Sequence, residues 1–78
     1  MSYFILLLDD DGNEPLGVWT TFGMNLAERG IKHRTIVKLD DEEDAWRVVD
    51  RYHRSGDVWG VISCEMLARK LKTGRYGQ

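Results

Sequence analysis

The feature that most constrains the fold is a six-residue run near the start of the chain, Tyr3–Leu8 (YFILLL), which is apolar at every position and stops at three consecutive aspartates. A short run of this kind is typical of a β-strand that is buried on both faces. Such strands belong mainly to parallel sheets that helices cover on either side. A second run, Val58–Ser63 (VWGVIS), predicts another buried strand. Together the two runs favour an α/β protein.

The segment between the two runs has a strand pattern followed by a helix pattern. Residues 31–39 (IKHRTIVKL) alternate between two faces, one of them rich in charge, which predicts a half-exposed or edge strand. Residues 42–54 have the pattern of an amphipathic helix, with Asp40 or Asp41 as the N-cap and acidic residues in the first turn. The apolar stripe of this helix consists of Ala45, Val48, Val49 and Tyr52. Ser55-Gly56 ends it, since glycine supplies the left-handed conformation after the last turn.

Residues 63–72 predict a last helix that ends before Gly74. Cations near its carboxyl end suit the helix dipole. Its apolar stripe consists of Cys64, Leu67, Ala68 and Leu71. The basic residues 72–78 are expected to form a flexible tail.

Residues 16–30 fit two structures. As a helix, the segment has Pro15 in its first turn and presents Trp19 and Phe22 inward. As a strand, it alternates from Leu16 to Phe22, and Asp11-Gly12 becomes a hairpin turn. The sequence favours the helix, although Gly17, Thr20, Thr21 and Gly23 are poor helix formers.

The preferred fold is therefore a small single domain, residues 1–78, with the order β-α-β-α-β-α and a three-stranded, mainly parallel sheet of strand order 2-1-3. The alternative is an α+β fold with an N-terminal hairpin, strands 3–8 and 16–22, and two helices.

Acidic residues follow two of the predicted strands and suggest a metal site. They are Asp9, Asp10 and Asp11 after the first strand, and Asp40 and Asp41 after the second. If these strands are adjacent and parallel, the carboxylates share one edge of the sheet and could hold Mg²⁺ through a few oxygens and several waters. An EF-hand loop is excluded, because aligning its glycine on Gly12 places Leu7 and Val18 at two ligand positions. The alternative is that these aspartates are solvated strand ends and helix caps.

Cys64 is the one cysteine of the chain, so no internal disulfide can form. At the start of a predicted helix, its thiol is a candidate for redox or nucleophilic chemistry. The stretch LAERGIKHRTIVKLDDEEDAWRVVDRYHRSG, residues 26–56, resembles the helix–strand–helix section of small glutaredoxin-like proteins. The resemblance implies an α/β fold. It implies no dithiol activity, because the place of the family's active-site cysteine reads DDDGNEPLGVW.

The outer side of the helix at residues 42–54 is a candidate partner-binding surface. Trp46 lies beside the apolar stripe rather than within it, and arginines follow it along the helix. Aromatic and arginine side chains are enriched at interface hot spots. The candidate residues are Trp46, Arg47, Asp50, Arg51 and Arg54.

Composition narrows the function classes. The chain has a net charge of −2 and a pI near 5.6. This charge argues against nucleic-acid binding, because phosphate contacts need a basic surplus on one face. The opening apolar run is too short for a signal peptide or a membrane helix, so we expect a cytoplasmic protein without a membrane partner.

These observations predict a non-enzymatic module that binds another protein and needs no cofactor. The hypothesis extends to a phage- or mobile-element-encoded inhibitor or regulator of a host complex, and to a homodimer formed through exposed sheet edges. The alternative is a divalent-metal-dependent enzyme or switch that uses the aspartates. The third hypothesis is a divergent glutaredoxin-like protein without dithiol activity.

Overall fold

A computed structural model describes residues 2–63 of the chain. Over this range the chain forms four strands, one α-helix and two single-turn 3₁₀ segments, Ala27–Arg29 and His33–Thr35. The strands pair only antiparallel, in the order β3-β2-β1-β4. The larger elements are β1 (Tyr3–Leu8), β2 (Pro15–Thr20), β3 (Gly23–Leu26), α1 (Glu42–Tyr52) and β4 (Val58–Ser63).

The prediction of a mainly parallel α/β sheet is wrong. The two strands predicted as buried, β1 and β4, do form and are neighbours, but they run antiparallel from Tyr3 opposite Ser63 to Leu8 opposite Val58. Of the two, only β1 has buried residues, whereas β4 is an edge strand whose residues are all half-buried. An apolar run shows that both faces of a strand are covered, but it carries no information on strand direction. Here α1 covers one face and the segment after β3 covers the other.

The predicted helix at residues 16–30 is wrong as well, because this segment forms β2, β3 and a 3₁₀ turn. The alternative hairpin describes it better, with its second strand at Pro15–Thr20 in place of 16–22. Gly17 explains part of this outcome. A Cβ atom at Gly17 would lie 2.6 Å from the carbonyl oxygen of Asn25, so the missing side chain allows β3 to approach β2 closely.

Residues 31–39 do not form the predicted edge strand. They hold one 3₁₀ turn and two isolated bridges, Thr20 with Ile36 and Tyr3 with Leu39, as the chain crosses one end of the sheet. The apolar side chains of this segment therefore pack on both faces of the sheet. Ile31 and Ile36 pack with the core cluster around Phe4 and Leu6, and Leu39 packs with the cluster around Ile5. The resemblance to glutaredoxin-like proteins fails here, since its central strand is missing.

The helix predicted from residue 42 is confirmed. Asp41 caps it by accepting a hydrogen bond from the Glu43 amide at 2.9 Å, and Ala45 and Val49 are buried against the sheet. The helix ends at Tyr52, just before the predicted end at Ser55-Gly56.

Two core clusters lie on opposite faces of the same sheet. Phe4, Leu6 and Val18 pack with Ile31 on the face away from the helix. Ile5 packs with Ala45 and Val49 under α1. Alternate residues of β1 thus supply both clusters, which is why every position of Tyr3–Leu8 is apolar.

Ser63, where the last predicted helix begins, belongs to β4. The rest of that helix (to residue 72), the tail at 72–78 and Cys64 lie outside the described residues, and the single-domain assignment stays a prediction. Within the described part of the chain, no helix is long and apolar enough to span a bilayer.

Candidate binding cleft

The first acidic cluster forms the loop of the β1–β2 hairpin. The Asp9 carboxylate accepts a hydrogen bond from the Asn13 amide at 2.8 Å, and the Asp9 carbonyl accepts one from the Gly12 amide at 2.9 Å. The bond from Asn13, followed by further backbone amide bonds, holds the pKa of Asp9 below its ordinary value. Gly12 takes a φ of 73°, which the turn requires. The carboxylate of Asp9 therefore organises the turn.

The second acidic cluster lies at the other end of β1. Leu39 exchanges two backbone hydrogen bonds with Tyr3, at the start of β1, and Asp40 and Asp41 follow directly. Asp9 follows the last residue of the same strand, so roughly 15–20 Å of strand separates the two clusters. The shared edge on which the magnesium hypothesis rested is not present. Among residues 2–63, no group of three or more His, Cys, Asp or Glu side chains converges on a point.

The structure divides the predicted partner-binding residues between two places. Trp46 is 42% exposed on the outer side of α1, where Arg47 pairs with Asp44 at 3.1 Å. Asp50 is exposed on the same helix. The Arg51 guanidinium lies over the Tyr52 ring, 5.6 Å from its centroid. Arg54 lies beyond the end of α1 and lines a cleft that the sequence did not predict.

This cleft, which we call the aromatic cleft, lies between the β2–β3 hairpin and the carboxyl end of α1 and has a volume of about 460 Å³. A cluster of three tilted rings forms its centre: Trp19 lies 5.2 Å from Tyr52 and 5.7 Å from Trp59 between ring centroids. The cleft is lined by Leu7, Trp19, Phe22, Gly23, Met24, Leu26, Arg29, Tyr52, Arg54, Asp57 and Trp59.

Strand register places these side chains on one face of the sheet. Trp59 on β4 lies opposite Leu7 on β1, Leu7 lies opposite Gly17 on β2, and Gly17 lies opposite Leu26 on β3. Side chains opposite one another in antiparallel strands point to the same face. Gly17 contributes no side chain, so the row consists of Trp59 and Leu7 on one side and Leu26 on the other. Trp19 lies opposite Met24 in the same way.

Phe22 stands at one side of the cleft with 80% of its surface exposed. It belongs to the two-residue turn between β2 and β3. The buried Thr20 hydroxyl accepts a hydrogen bond from the Phe22 amide at 3.0 Å and donates one to the Gly23 carbonyl at 2.9 Å. The Thr21 amide donates to the Thr35 carbonyl at 2.9 Å. These three hydrogen bonds fix the conformation of the turn, from which the Phe22 ring projects into solvent.

The charged residues of the cleft are Arg29, Arg54 and Asp57. Within residues 2–63 neither Arg29 nor Arg54 is in an ion pair or a ring contact. By contrast, Arg47 forms an ion pair with Asp44, and Arg51 lies over the Tyr52 ring. The guanidinium groups at the cleft therefore keep their donors for other acceptors.

Trp59 carries a buried indole N–H for which the described residues offer no acceptor. The ring of His53 meets it edge-on, with 6.5 Å between centroids. The His53 Nδ1 lies 3.1 Å from the Val49 carbonyl, which ties this residue to the end of α1.

Sequence reasoning found only one residue of the cleft, Arg54. Trp19 and Phe22 were placed on the inner side of a helix that does not form, and Tyr52 was assigned to the core although it is 48% exposed. The signal that could have located the cleft was the alternation of residues 16–22, which places Trp19 on the opposite face from Val18. Comparisons with protein-family models, curated proteins and solved structures find no match for this chain.

Proposed function

We propose that this chain is a non-enzymatic protein-binding module that docks its partner in the aromatic cleft. The observation that carries the proposal is the Phe22 ring, which is 80% exposed on a fixed turn beside a cleft of aromatic side chains. Contiguous apolar surface of this kind marks interaction sites, since exposing it to water costs free energy that only a partner recovers.

The chemistry of the lining supports binding. Tryptophan, tyrosine, phenylalanine, methionine and arginine are the residue types most enriched in protein interfaces. All five types line the cleft, and within the lining Trp19 contacts both Tyr52 and Trp59. Large rings already held by their neighbours lose little conformational entropy when a partner covers them.

The cleft is favoured over the outer side of α1 as the docking site. On that side Trp46 is within 3.5 Å of the Glu42 carboxylate, and Arg47 is held by Asp44. Both groups would have to give up local contacts before binding a partner. The proposed site retains Arg54 from the surface predicted from the sequence and adds the rings of Trp19, Tyr52 and Trp59. An origin in a phage or mobile element, and a host complex as the target, stay predictions.

The test is a selection of binders from a random peptide library displayed on phage, with this chain immobilised. Enriched peptides are then measured against wild type, Phe22→Ser and Trp46→Ala. We expect Phe22→Ser to weaken binding by about tenfold or more, because an exposed ring at an interface centre is a typical hot spot. Trp46→Ala is the matched control on the other surface and should change affinity by less than about twofold.

Phe22→Ser should leave the free energy of unfolding within roughly 0.5 kcal/mol of wild type, because the ring has few contacts to lose. A urea titration of each variant verifies this before binding is compared. If no peptide family is enriched, the proposal is wrong. It is also wrong if Trp46→Ala abolishes binding while Phe22→Ser does not.

A further inference from the structure

Resting on the proposed function, we propose that the aromatic cleft recognises an acidic segment of its partner, one that inserts a bulky apolar side chain among the rings and places carboxylates against Arg29 and Arg54. The inference concerns the chemistry of the partner, which the proposed function leaves open. It follows from how charge and apolar surface are arranged around the cleft.

Arg29 and Arg54 are the two basic residues of the cleft lining. Both line the cleft and both are exposed, and within the described part of the chain neither has an ion-pair partner. A guanidinium presents planar, paired donors that match a carboxylate in a bidentate arrangement. Asp57 is the one acidic residue among the lining side chains, so the charged groups at the cleft sum to +1 from two arginines and one aspartate.

The acidic residues of the molecule are distributed unevenly around the cleft. The acidic residues at the amino end of α1 lie away from the carboxyl end of that helix, whereas the acidic β1–β2 loop adjoins the start of β4, next to Asp57 of the cleft. Asp41, Glu42, Glu43 and Asp44 are thus separated from the cleft by the length of an 11-residue helix. The two arginines therefore give the lining of the cleft an excess of positive charge, in a chain whose net charge is −2.

The centre of the aromatic cleft is apolar. Trp19, Tyr52 and Trp59 offer ring faces and edges, and Met24 and Leu26 supply flexible aliphatic surface beside them. An aliphatic or aromatic side chain gains most from such surroundings. A purely acidic segment would leave this surface uncovered, which is why the partner should combine carboxylates with an apolar anchor.

Arginines beside aromatic rings also suit single-stranded nucleic acid, whose bases stack on rings while phosphates meet guanidinium groups. The acidic peptide is favoured because two arginines line the cleft, which is enough for a pair of carboxylates but few for a phosphate backbone. Phosphate binding gains its affinity from neutralising many charges at once.

The experiment uses three synthetic peptides of equal length that share one central Leu-Phe anchor. The anchor is flanked by Asp and Glu in the first peptide, by Ser and Gln in the second and by Lys and Arg in the third. Each is titrated into the ¹⁵N-labelled full chain, with the backbone amides of Phe22 and Gly23 and the indole N–H of Trp59 as reporters. An oligothymidylate of similar length is titrated in parallel.

We expect the acidic peptide to bind about tenfold or more tightly than the neutral one, and the basic peptide to bind more weakly than both. Arg29→Gln and Arg54→Gln should each weaken the acidic peptide roughly three- to tenfold and leave the neutral peptide unchanged. Arg47→Gln on the outer side of α1 is the matched control and should not affect any peptide.

Equal affinity for the acidic and neutral peptides, with both lost in Phe22→Ser, would overturn the acidic specificity and leave the proposed function standing. If none of the peptides shifts the reporter signals, while Phe22→Ser and wild type behave alike, the proposed function fails as well. Tighter binding of the oligothymidylate than of the acidic peptide, with the same dependence on Arg54 and Phe22, would assign the cleft to nucleic acid and overturn the inference.

Discussion

Thr20 contributes both to the stability of the sheet and to the position of Phe22 beside the cleft. Its side chain is 1% exposed, and its hydroxyl makes two hydrogen bonds within the turn that carries Phe22. A buried hydroxyl needs such partners, because an unpaired one costs free energy on folding. One residue thus determines both the end of β2 and the position of the exposed ring.

We predict that Thr20→Val lowers the free energy of unfolding by about 1–3 kcal/mol, since the Phe22 amide and the Gly23 carbonyl lose their partner while the shape of the side chain is kept. Urea denaturation followed by circular dichroism measures the change. Thr21→Val, at the neighbouring exposed position, is the control and should stay within roughly 0.5 kcal/mol. Equal effects of the two substitutions would contradict the role given to the Thr20 hydroxyl.

Asp9 makes one part of the stability depend on pH. Its folded pKa is lowered, chiefly by the hydrogen bond from the Asn13 amide, so the ionised form favours the folded state. A group with a depressed folded pKa contributes its full stabilisation above the unfolded pKa and loses it as the pH falls through the folded pKa. The contribution is therefore present at neutral pH and lost in acid.

We expect the stability difference between wild type and Asp9→Asn to shrink as the pH falls below about 4, because the substitution keeps an acceptor oxygen but removes the charge. Titration of the Asp9 carboxyl carbon by NMR gives its pKa directly, and the Asn13 amide proton should follow the same curve. A midpoint at or above the ordinary value for aspartate would contradict the proposed hydrogen bond.

Among the elements, α1 was predictable and the strands were predictable only in part. The helix depends on local features: Asp41 as its cap, acidic residues in its first turn and a stripe through Ala45 and Val49. Strand pairing depends on partners far away in the chain, and β1 meets β4 across more than fifty residues. Short-range patterns therefore located β1 and β4 but not their direction.

The glycines within the strands show how an element depends on its neighbour. At Gly17 an added Cβ would lie 2.6 Å from the backbone oxygen of Asn25, whereas at Gly60 it would lie 3.0 Å from the end of the Leu8 side chain. A side-chain terminus can rotate away, but a paired backbone can move only by distorting the strand.

We predict that Gly17→Ala destabilises the protein by about 1–3 kcal/mol through overpacking, and that Gly60→Ala costs clearly less. The two free energies of unfolding, measured by urea titration, provide the comparison. A larger loss for Gly60→Ala would show that β2 and β3 do not approach as closely as the structure indicates.

Across the whole molecule, the two core clusters are coupled through β1. Leu6 belongs to one cluster and Ile5 to the other, so neither face can lose its packing without moving the strand that both share. We therefore expect both faces to unfold together. This expectation is also a test of the single-domain prediction.

Leu6→Ala should lower the free energy of unfolding by about 2–5 kcal/mol, because Leu6 is fully buried and the substitution leaves a cavity. Tryptophan fluorescence reports the opposite face, through Trp19 and Trp59, and far-UV circular dichroism reports the backbone. Both signals should shift to the same urea midpoint. Leu16→Ala, at a position 43% exposed, is the control with a small effect. Separate midpoints would show that the two faces unfold independently.

The sequence by itself determined that β1 is buried on both faces and that α1 begins after an aspartate cap, because burial, capping and amphipathicity depend on residues close together in the chain. Only the tertiary structure decided that the sheet is antiparallel, that the two acidic clusters lie at opposite ends of β1, and that Trp19, Tyr52 and Trp59 meet. These three facts depend on register between distant strands. Backbone hydrogen bonds in a sheet are the same for every residue type, so the register comes from the packing of both faces at once and from the space that Gly17 leaves between β2 and β3.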